Sequence, residues 1–214
     1  MIYKAAIFDM DGTLINTLED LADSVNEMLA HYNLPPRTLD EVRIFVGNGA
    51  RILMQRATES TEENFINDAL KFYDGCYSRH LLNKTKPYAG IVELLTALQN
   101  KNIPVAICTN KQHFAAVALA EKVFPTIKFS AVIGDAQKPS PARALEILEK
   151  IGVKPAEVAY FGDTSVDMKT ALNAGFLPVG VTWGFRAESE LVASGAKFII
   201  HRAEEIFNLI KFGG

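Results

Sequence analysis

Two aspartates, Asp9 and Asp11, stand two residues apart directly after the apolar segment Tyr3 to Phe8, which is predicted to be a strand. In an open parallel sheet, ligands bind just beyond the carboxyl ends of the strands. Crowded carboxylates at such a place are unfavourable unless a cation binds between them. The pair therefore favours Asp9 as a nucleophile and Asp11 as an acid or base over a simple turn, for which Gly12 is also suited.

Three further segments place polar side chains beside predicted strands or helices. Thr109 and Asn110 follow one strand and could hydrogen-bond an anion, and Lys138 is a cation ahead of a helix. Asp163 ends another strand, with Asp167 four residues on, where a helix N-terminus would also favour acidic side chains. Each segment alone has an ordinary structural explanation. Because all of them fall at one edge of one predicted sheet, together they indicate a site.

The elements that must position these side chains alternate along most of the chain. Short apolar, β-branched runs predict strands, and segments with one apolar stripe predict helices between them. The predicted strands are Tyr3 to Phe8, Pro104 to Cys108, Ala131 to Ile133, Val158 to Phe161, Pro178 to Val181 and Phe198 to Ile200. This order predicts an α/β fold, with a Rossmann-like parallel sheet core and helices on both faces. One of the helices is predicted to have Ser140 as its N-cap and Pro141 as its first residue.

Residues 17–82 interrupt this alternation with apolar residues at helical spacing and no strand pattern. Thr38 with Glu41, and Ser60 with Glu63, predict capping boxes at two helix starts. We therefore expect two domains: an α/β core of residues 1–16 and 83–214, and an inserted all-helical cap of residues 17–82 over the site.

Composition excludes several classes of protein. The 214 residues are 49% hydrophobic and 22% charged, with a net charge of −3. These values fit a globular protein and give no basic patch for a nucleic-acid backbone. No apolar run approaches the roughly 20 residues of a membrane helix, and two distant cysteines suggest neither a disulfide framework nor a zinc site. We expect a cytoplasmic enzyme, a monomer or homodimer, without nucleic-acid or membrane partners.

The motifs resemble those of the haloacid dehalogenase superfamily of phosphotransferases. Its four motifs match, in order, Asp9-Met10-Asp11-Gly12-Thr13, Thr109-Asn110, Lys138-Pro139 and Gly162-Asp163 through Asp167. Within the superfamily the chain is similar to phosphoglycolate phosphatases, on the cap segment Val46-Gly47-Asn48-Gly49-Ala50-Arg51 and the stretch Val181-Thr182-Trp183-Gly184-Phe185. The resemblance implies a magnesium-dependent phosphatase for a small phosphate monoester, most consistently 2-phosphoglycolate.

The resemblance also implies roles for the acidic residues. Asp9 would attack phosphorus and form an aspartyl-phosphate, and Asp11 would protonate the leaving oxygen and later deprotonate water. Asp9, Asp163 and the main-chain carbonyl of Asp11 would hold Mg²⁺. Asp167 would orient that set of ligands, and Thr13 would position Asp11.

Thr109, Asn110 and Lys138 would hold the transferring phosphoryl group. In the cap, Gly47, Asn48 and Gly49 would bring main-chain amides to the substrate, and Arg51 could pair with its carboxylate. An ordinary interhelical turn and a solvated arginine are the competing interpretations, and a structural loop is the favoured one for Trp183.

Two features depart from the family pattern, and other functions share the chemistry. Asn16 stands where the family usually has Asp, and the loop from Gly134 to Lys138 is short for the reach required of its lysine. A pyrophosphatase, or a sugar-phosphate phosphatase or mutase, would use the same core residues. A receiver domain of signalling proteins is disfavoured by the length of the chain and by the helical insert, and a dehalogenase proper by Asp11.

Overall fold

The computed structural model describes residues 1–213. Its strands are β1 (Ala5–Phe8), β2 (Ile15–Asn16), β3 (Lys86–Pro87), β4 (Val105–Cys108), β5 (Ala131–Ile133), β6 (Val158–Gly162), β7 (Leu177–Val181) and β8 (Phe198–Ile200). Its helices are α1 (Leu18–His31), α2 (Leu39–Phe45), α3 (Ala50–Thr58), α4 (Glu63–His80), α5 (Ile91–Asn100), α6 (His113–Val123), α7 (Ala142–Ile151), α8 (Ser165–Ala174), α9 (Glu188–Ala193) and α10 (Ile206–Leu209).

Six strands form one parallel sheet in the order β5-β4-β1-β6-β7-β8, which confirms the predicted fold class. The chain runs outward from β1 through β4 to β5, and then returns to build the other half from β6 to β8. Such a reversal opens a crevice at the carboxyl ends of the central strands. Strands β1, β4 and β6 are buried along their whole length, which explains their continuous apolar sequences.

Helices α1 to α4 form an insert between β2 and β3. These two short strands pair antiparallel, with Ile15 opposite Pro87 and Asn16 opposite Lys86, so the chain leaves and re-enters the core side by side. Helices α1 and α4 make the largest contact within the insert. One hydrophobic cluster runs from Phe8 on the sheet to Leu21 and Tyr77 on these helices. The insert therefore packs directly on the carboxyl ends of the strands.

Local details both confirm and correct the expected caps. Thr38 and Glu41 form the predicted capping box at α2. The box expected from Ser60 is wrong: the carboxylate of Glu62 accepts the amides at the start of α4. Helix α7 begins one residue after Pro141, and the pair β2–β3 was not expected because two-residue strands carry no periodicity. Over residues 1–213, no helix is both long enough and apolar enough to cross a bilayer.

Candidate active site

The predicted core residues meet where β1, β4 and β6 end. Asp9 follows β1, Thr109 follows β4, and Asp163 follows β6. Parallel strands bring their carboxyl ends to one edge, so residues more than 150 positions apart become neighbours. A carboxylate oxygen from each of Asp9, Asp163 and Asp167 lies within 4.8 Å of the others, and all three residues are buried.

Asp9 has one carboxylate oxygen without a hydrogen-bond partner. Lys138 Nζ forms an ion pair with Asp9 Oδ1 at 2.9 Å, and no other described residue donates to this oxygen. Burial raises the pKa of Asp9 to about 7, with a further rise from the charge of Asp167 and an opposing effect from Lys138. A carboxylate oxygen can accept more than one contact, so Asp9 Oδ1 can bind a further ligand beside Lys138.

Asp163 and Asp167 are each held by donors from other segments. Asp163 accepts from the hydroxyl of Thr13 at 3.0 Å and from the amide of Phe185 at 2.8 Å. Asp167 accepts from Lys138 Nζ at 2.5 Å and, on its other oxygen, from the hydroxyl of Thr164 at 2.7 Å. The expected role of Thr13 is thereby corrected, since its hydroxyl orients Asp163 instead of Asp11. Burial, and then the charges of Asp167 and Asp9, raise the pKa of Asp163 well above its usual range.

Glycines allow the backbone to close around Asp163. A Cβ on Gly12 would lie 2.2 Å from Asp163 Oδ2, and the φ of 79° also favours glycine there. A Cβ on Gly184 would lie 2.3 Å from the Cβ of Asp163. The carboxylate of Asp163 therefore lies tightly between the turn after β1 and the loop after β7. A side chain at position 12 or 184 would occupy its space.

Asp11 contacts a residue that the sequence analysis missed. The ammonium group of Lys111 donates to both carboxylate oxygens, at 2.8 and 3.0 Å, and the hydroxyl of Thr17 donates to Oδ1 at 2.7 Å. The Lys111 side chain is only 3% exposed. Lys111 lies three residues beyond β4, so the reasoning applied to Thr109 and Asn110 would have found it if continued by one position.

Asn110 and Lys138 are joined to each other and to the insert. The amide of Asn110 donates to the carbonyl of Gly47 at 3.0 Å, and its oxygen accepts from the main chain of Lys138 at 2.7 Å. Because Lys138 Nζ lies 2.9 Å from Asp9 Oδ1, the loop before Lys138 is long enough for its ammonium group to reach Asp9. Burial alone would lower the pKa of Lys138, but the carboxylates of Asp167 and Asp9 outweigh it and raise the pKa.

The insert covers these groups and closes a small cavity. Its lining comes from the strand ends, the loop before α3, and the helices α1, α3 and α4: Asp9, Asp11, Leu21, Val46, Gly47, Gly49, Ala50, Leu53, Tyr73, Tyr77, Thr109, Asn110, Lys111, Gln112, Thr164 and Phe185. Two of the cap residues proposed from the sequence, Gly47 and Gly49, are among them. Asn48 is not: its side chain accepts a hydrogen bond from Arg56. Arg51 is exposed, donates to Asn67, and does not line the cavity.

Two residues flagged from the sequence have structural contacts. The indole of Trp183 donates to the carbonyl of Thr13 at 2.9 Å and lies outside the cavity lining, as the structural interpretation expected. Asn16 Oδ1 accepts from the amide of Leu18, the first residue of α1.

The donor set fits a divalent cation. Asp9, Asp11, Asp163 and Asp167 supply four carboxylates against the ammonium groups of the two buried lysines, which leaves a formal charge of −2. Carboxylate and carbonyl oxygens are the ligands that Mg²⁺ prefers. One carboxylate oxygen of Asp9 lies within 4.8 Å of those of Asp163 and Asp167, so the residues present match such an ion in charge and in chemistry.

Comparison with known proteins agrees with this geometry. The family model for haloacid dehalogenase-like hydrolases matches residues 6–181. The phosphoglycolate phosphatase of Chromobacterium violaceum is 32% identical over 219 residues, covering 98% of this chain and 97% of that protein. That of Agrobacterium fabrum is 37% identical over 189 residues, covering 84% and 81%.

A solved structure shares the whole arrangement. The crystal structure of a predicted phosphoglycolate phosphatase from Haemophilus somnus has a TM-score of 0.89 at 28% identity, with 97% of each chain covered. Its fold includes both the core and the insert, because the aligned region spans nearly the entire chain. The chain therefore belongs to the haloacid dehalogenase-like hydrolases, as a phosphoric monoester hydrolase of the subgroup that resembles phosphoglycolate phosphatases.

Proposed function

We propose that the protein is a magnesium-dependent phosphatase that hydrolyses 2-phosphoglycolate through an aspartyl-phosphate. The observation that carries the proposal is the buried cluster of Asp9, Asp163 and Asp167, in which Asp9 Oδ1 contacts the ammonium group of Lys138 and Asp11 lies two residues away. The names of the relatives support the choice of phosphoglycolate, since those proteins are phosphoglycolate phosphatases and match over 97% and 81% of their length.

Asp9 is the nucleophile in this proposal. Its carboxylate oxygen bonds to phosphorus while the bond from phosphorus to the leaving oxygen breaks. Lys138 lies against Asp9, and Thr109 stands at the end of the neighbouring strand, so both are placed to balance charge on the transferring phosphoryl oxygens. Asn110 supports them by holding the main chain of Lys138.

Asp11 is the acid and base. It gives its proton to the leaving oxygen in the first step, and takes a proton from the water that attacks phosphorus in the second. The second step breaks the bond between phosphorus and Asp9 and releases inorganic phosphate. Thr17 holds Asp11 Oδ1 and thereby fixes the direction of this carboxyl group.

Mg²⁺ would be held by Asp9, Asp163 and the main-chain carbonyl of Asp11, with Asp167 orienting the set through Lys138 and Thr164. When bound, the ion supplies positive charge that stabilises the transferring phosphoryl group. Thr13 and Phe185 hold Asp163, so its carboxylate is oriented in advance by this chain alone.

We assign substrate selection to the insert, as a cap domain of residues 17–82 on a core of residues 1–16 and 83–214. Gly47 and Gly49 line the cavity, which supports main-chain contact with the substrate. Arg51 would have to leave Asn67 and turn inward to take part. The partner is a small phosphate ester, and we place the enzyme in the cytoplasm as a monomer or homodimer.

A panel of phosphate esters tests this function. With Mg²⁺ present, kcat/KM for phosphoglycolate should exceed the values for pyrophosphate, sugar phosphates and p-nitrophenyl phosphate. Chelation with EDTA should abolish turnover, and added Mg²⁺ should restore it. A higher efficiency on pyrophosphate or a sugar phosphate would replace the proposed substrate. Full activity after exhaustive chelation would remove the metal from the proposal.

A further inference from the structure

Lys111 is a buried cation on one side of the cavity, separate from the lysine that faces the nucleophile. Its ammonium group contacts both oxygens of Asp11 and lies 4.6 Å from the centre of the Tyr77 ring. Lys138, by contrast, contacts Asp9 and Asp167. The two lysines therefore contact different carboxylates, and Lys111 is the one that lines the cavity.

Lys111 lies on the side of the leaving group. In the proposed reaction Asp11 donates its proton to the leaving oxygen, so that oxygen must come within hydrogen-bond distance of Asp11. Lys111 Nζ is 2.8 Å from the same carboxylate. Two hydrogen bonds of about 2.8 Å in series place the leaving oxygen within roughly 5.6 Å of Nζ.

The donors around Lys111 are not all used. An ammonium group has three N–H donors, and the two oxygens of Asp11 accept at most two of them here. The hydroxyl of Tyr77 is buried and has no hydrogen-bond partner among residues 1–213. Both side chains line the cavity. An acceptor with two oxygens would satisfy both donors.

The other residues of the cavity lining offer no second positively charged side chain. The insert contributes Leu21, Val46, Leu53 and two tyrosines, none of which is charged, and Arg51 is exposed outside the cavity. Within the described residues, Lys111 is thus the one cationic side chain in the lining. A negative group on the leaving portion of a substrate has no other charged partner there.

We propose that Lys111, with the hydroxyl of Tyr77, binds a carboxylate on the leaving portion of the substrate and so selects for α-oxy carboxylate esters. In such an ester the carboxylate is attached to the carbon that bears the leaving oxygen. When that oxygen is bound beside Asp11, the carboxylate can accept a hydrogen bond from Lys111 Nζ. The inference rests on the proposed phosphatase function and identifies the substrate carboxylate as the group that the enzyme recognises.

The test compares two esters that differ only at this group. Phosphoglycolate carries the carboxylate, whereas hydroxyethyl phosphate replaces it with an uncharged alcohol. We expect the wild-type protein to prefer phosphoglycolate by at least about tenfold in kcat/KM. In Lys111→Met this selectivity ratio should fall by about tenfold to a hundredfold, as for a lost hydrogen bond to a charged group.

The ratio separates recognition from chemistry. Loss of Lys111 also removes a partner of Asp11, which lowers the rate on both esters and cancels in the ratio. Thr17→Val is the matched control, because it removes the other donor to Asp11 and carries no charge. It should lower both efficiencies equally. Tyr77→Phe, which removes only an unpartnered hydroxyl, should lower the ratio about threefold to tenfold.

The outcomes distinguish this inference from the proposed function. No hydrolysis of either ester would contradict the phosphatase itself. Hydrolysis of both esters by the wild-type protein without a preference would overturn the carboxylate pocket alone, and this result needs no variant to fold. An unchanged ratio in folded Lys111→Met, or a fall only in Arg51→Ala, would overturn the assignment to Lys111.

Discussion

At the scale of single residues, the site brings several carboxyl groups together in a buried place, where loss of water disfavours their ionised form. Asp9, Asp163 and Asp167 share one buried volume, with Lys138 as the only cation in contact with them among residues 1–213. Bringing such groups together without a cation is unfavourable, because each charge loses water and meets another of the same sign. The raised pKa values of Asp9 and Asp163 express this cost.

These shifts predict how metal-free protein responds to pH. Since the pKa of Asp9 is about 7 in the folded protein, the fold retains protons that the unfolded chain releases from about pH 4 upward. The free energy of unfolding should therefore fall as pH rises from about 4 to 7. Added Mg²⁺ should raise the melting temperature more at pH 8 than at pH 5, because it need not displace protons there.

Thermal melts in EDTA and in Mg²⁺ across this pH range measure both effects. Asp163→Asn is the control: it removes one of the crowded carboxylates, so it should stabilise the metal-free fold and reduce the gain from Mg²⁺. A melting temperature that rises with pH in EDTA, or a gain from Mg²⁺ that is equal at both ends of the range, would contradict this account.

At the scale of elements, an arginine from the core secures the insert. Arg186 donates to the carbonyls of Arg43, Ile44 and Val46 at the carboxyl end of α2, at 2.7, 3.0 and 2.7 Å. Helix ends leave such carbonyls without partners inside the helix, and a guanidinium satisfies several at once. The glycine loop that lines the cavity follows directly, so Arg186 fixes its position over Asp9.

Replacing this arginine should loosen the closed insert without touching the reacting groups. For Arg186→Gln we expect KM for the phosphate ester to rise about fivefold or more, with a smaller change in kcat, because closure no longer recovers these charged hydrogen bonds. Arg43→Ala is the matched control, since within residues 1–213 its side chain pairs only with Asp40 on the same helix. Steady-state kinetics that show equal effects of both changes would contradict the role of Arg186.

The strands and loops differ in how far they could be predicted from the sequence. The parallel sheet was predictable because β1, β4 and β6 are buried on both faces and read as apolar runs, and Asp9, Thr109 and Asp163 follow from those strand ends. Contacts between distant segments were not predictable. The bond from Thr13 to Asp163 and the outward position of Arg51 depend on how loops meet, which no local periodicity encodes.

At the scale of the whole molecule, the insert narrows the cavity over the site. Its volume of about 40 Å³ holds about three waters, given roughly 10–15 Å³ for each. A phosphate ester with a carboxylate is larger. We therefore expect the insert to move when a substrate enters, and we expect it to turn at the paired strands β2 and β3, which form its two connections to the core.

This motion predicts protection from hydrogen exchange on ligand binding. Main-chain amides of residues 47–50 should exchange slowly in the presence of Mg²⁺ and inorganic phosphate, and faster in their absence, because Gly47 and Gly49 line the cavity and a bound ligand would cover this loop. Amides of β1 and β6, in the centre of the sheet, serve as the internal control and should change little. Equal exchange of the loop in both conditions would contradict opening and closing of the insert.

The proposed mechanism requires transfer of the phosphoryl group to Asp9. Trapping the aspartyl-phosphate is therefore its most direct test. Acid-quenched protein, taken during turnover of phosphoglycolate with Mg²⁺, should carry one phosphoryl group on the peptide that contains Asp9. In Asp11→Asn the label should both form and disappear more slowly, because Asp11 protonates the leaving oxygen and later activates water, and kcat in Asp9→Asn should fall at least about a hundredfold with the fold intact. Absence of the label on Asp9 during turnover, or more than about a hundredth of wild-type activity in Asp9→Asn, would contradict the account.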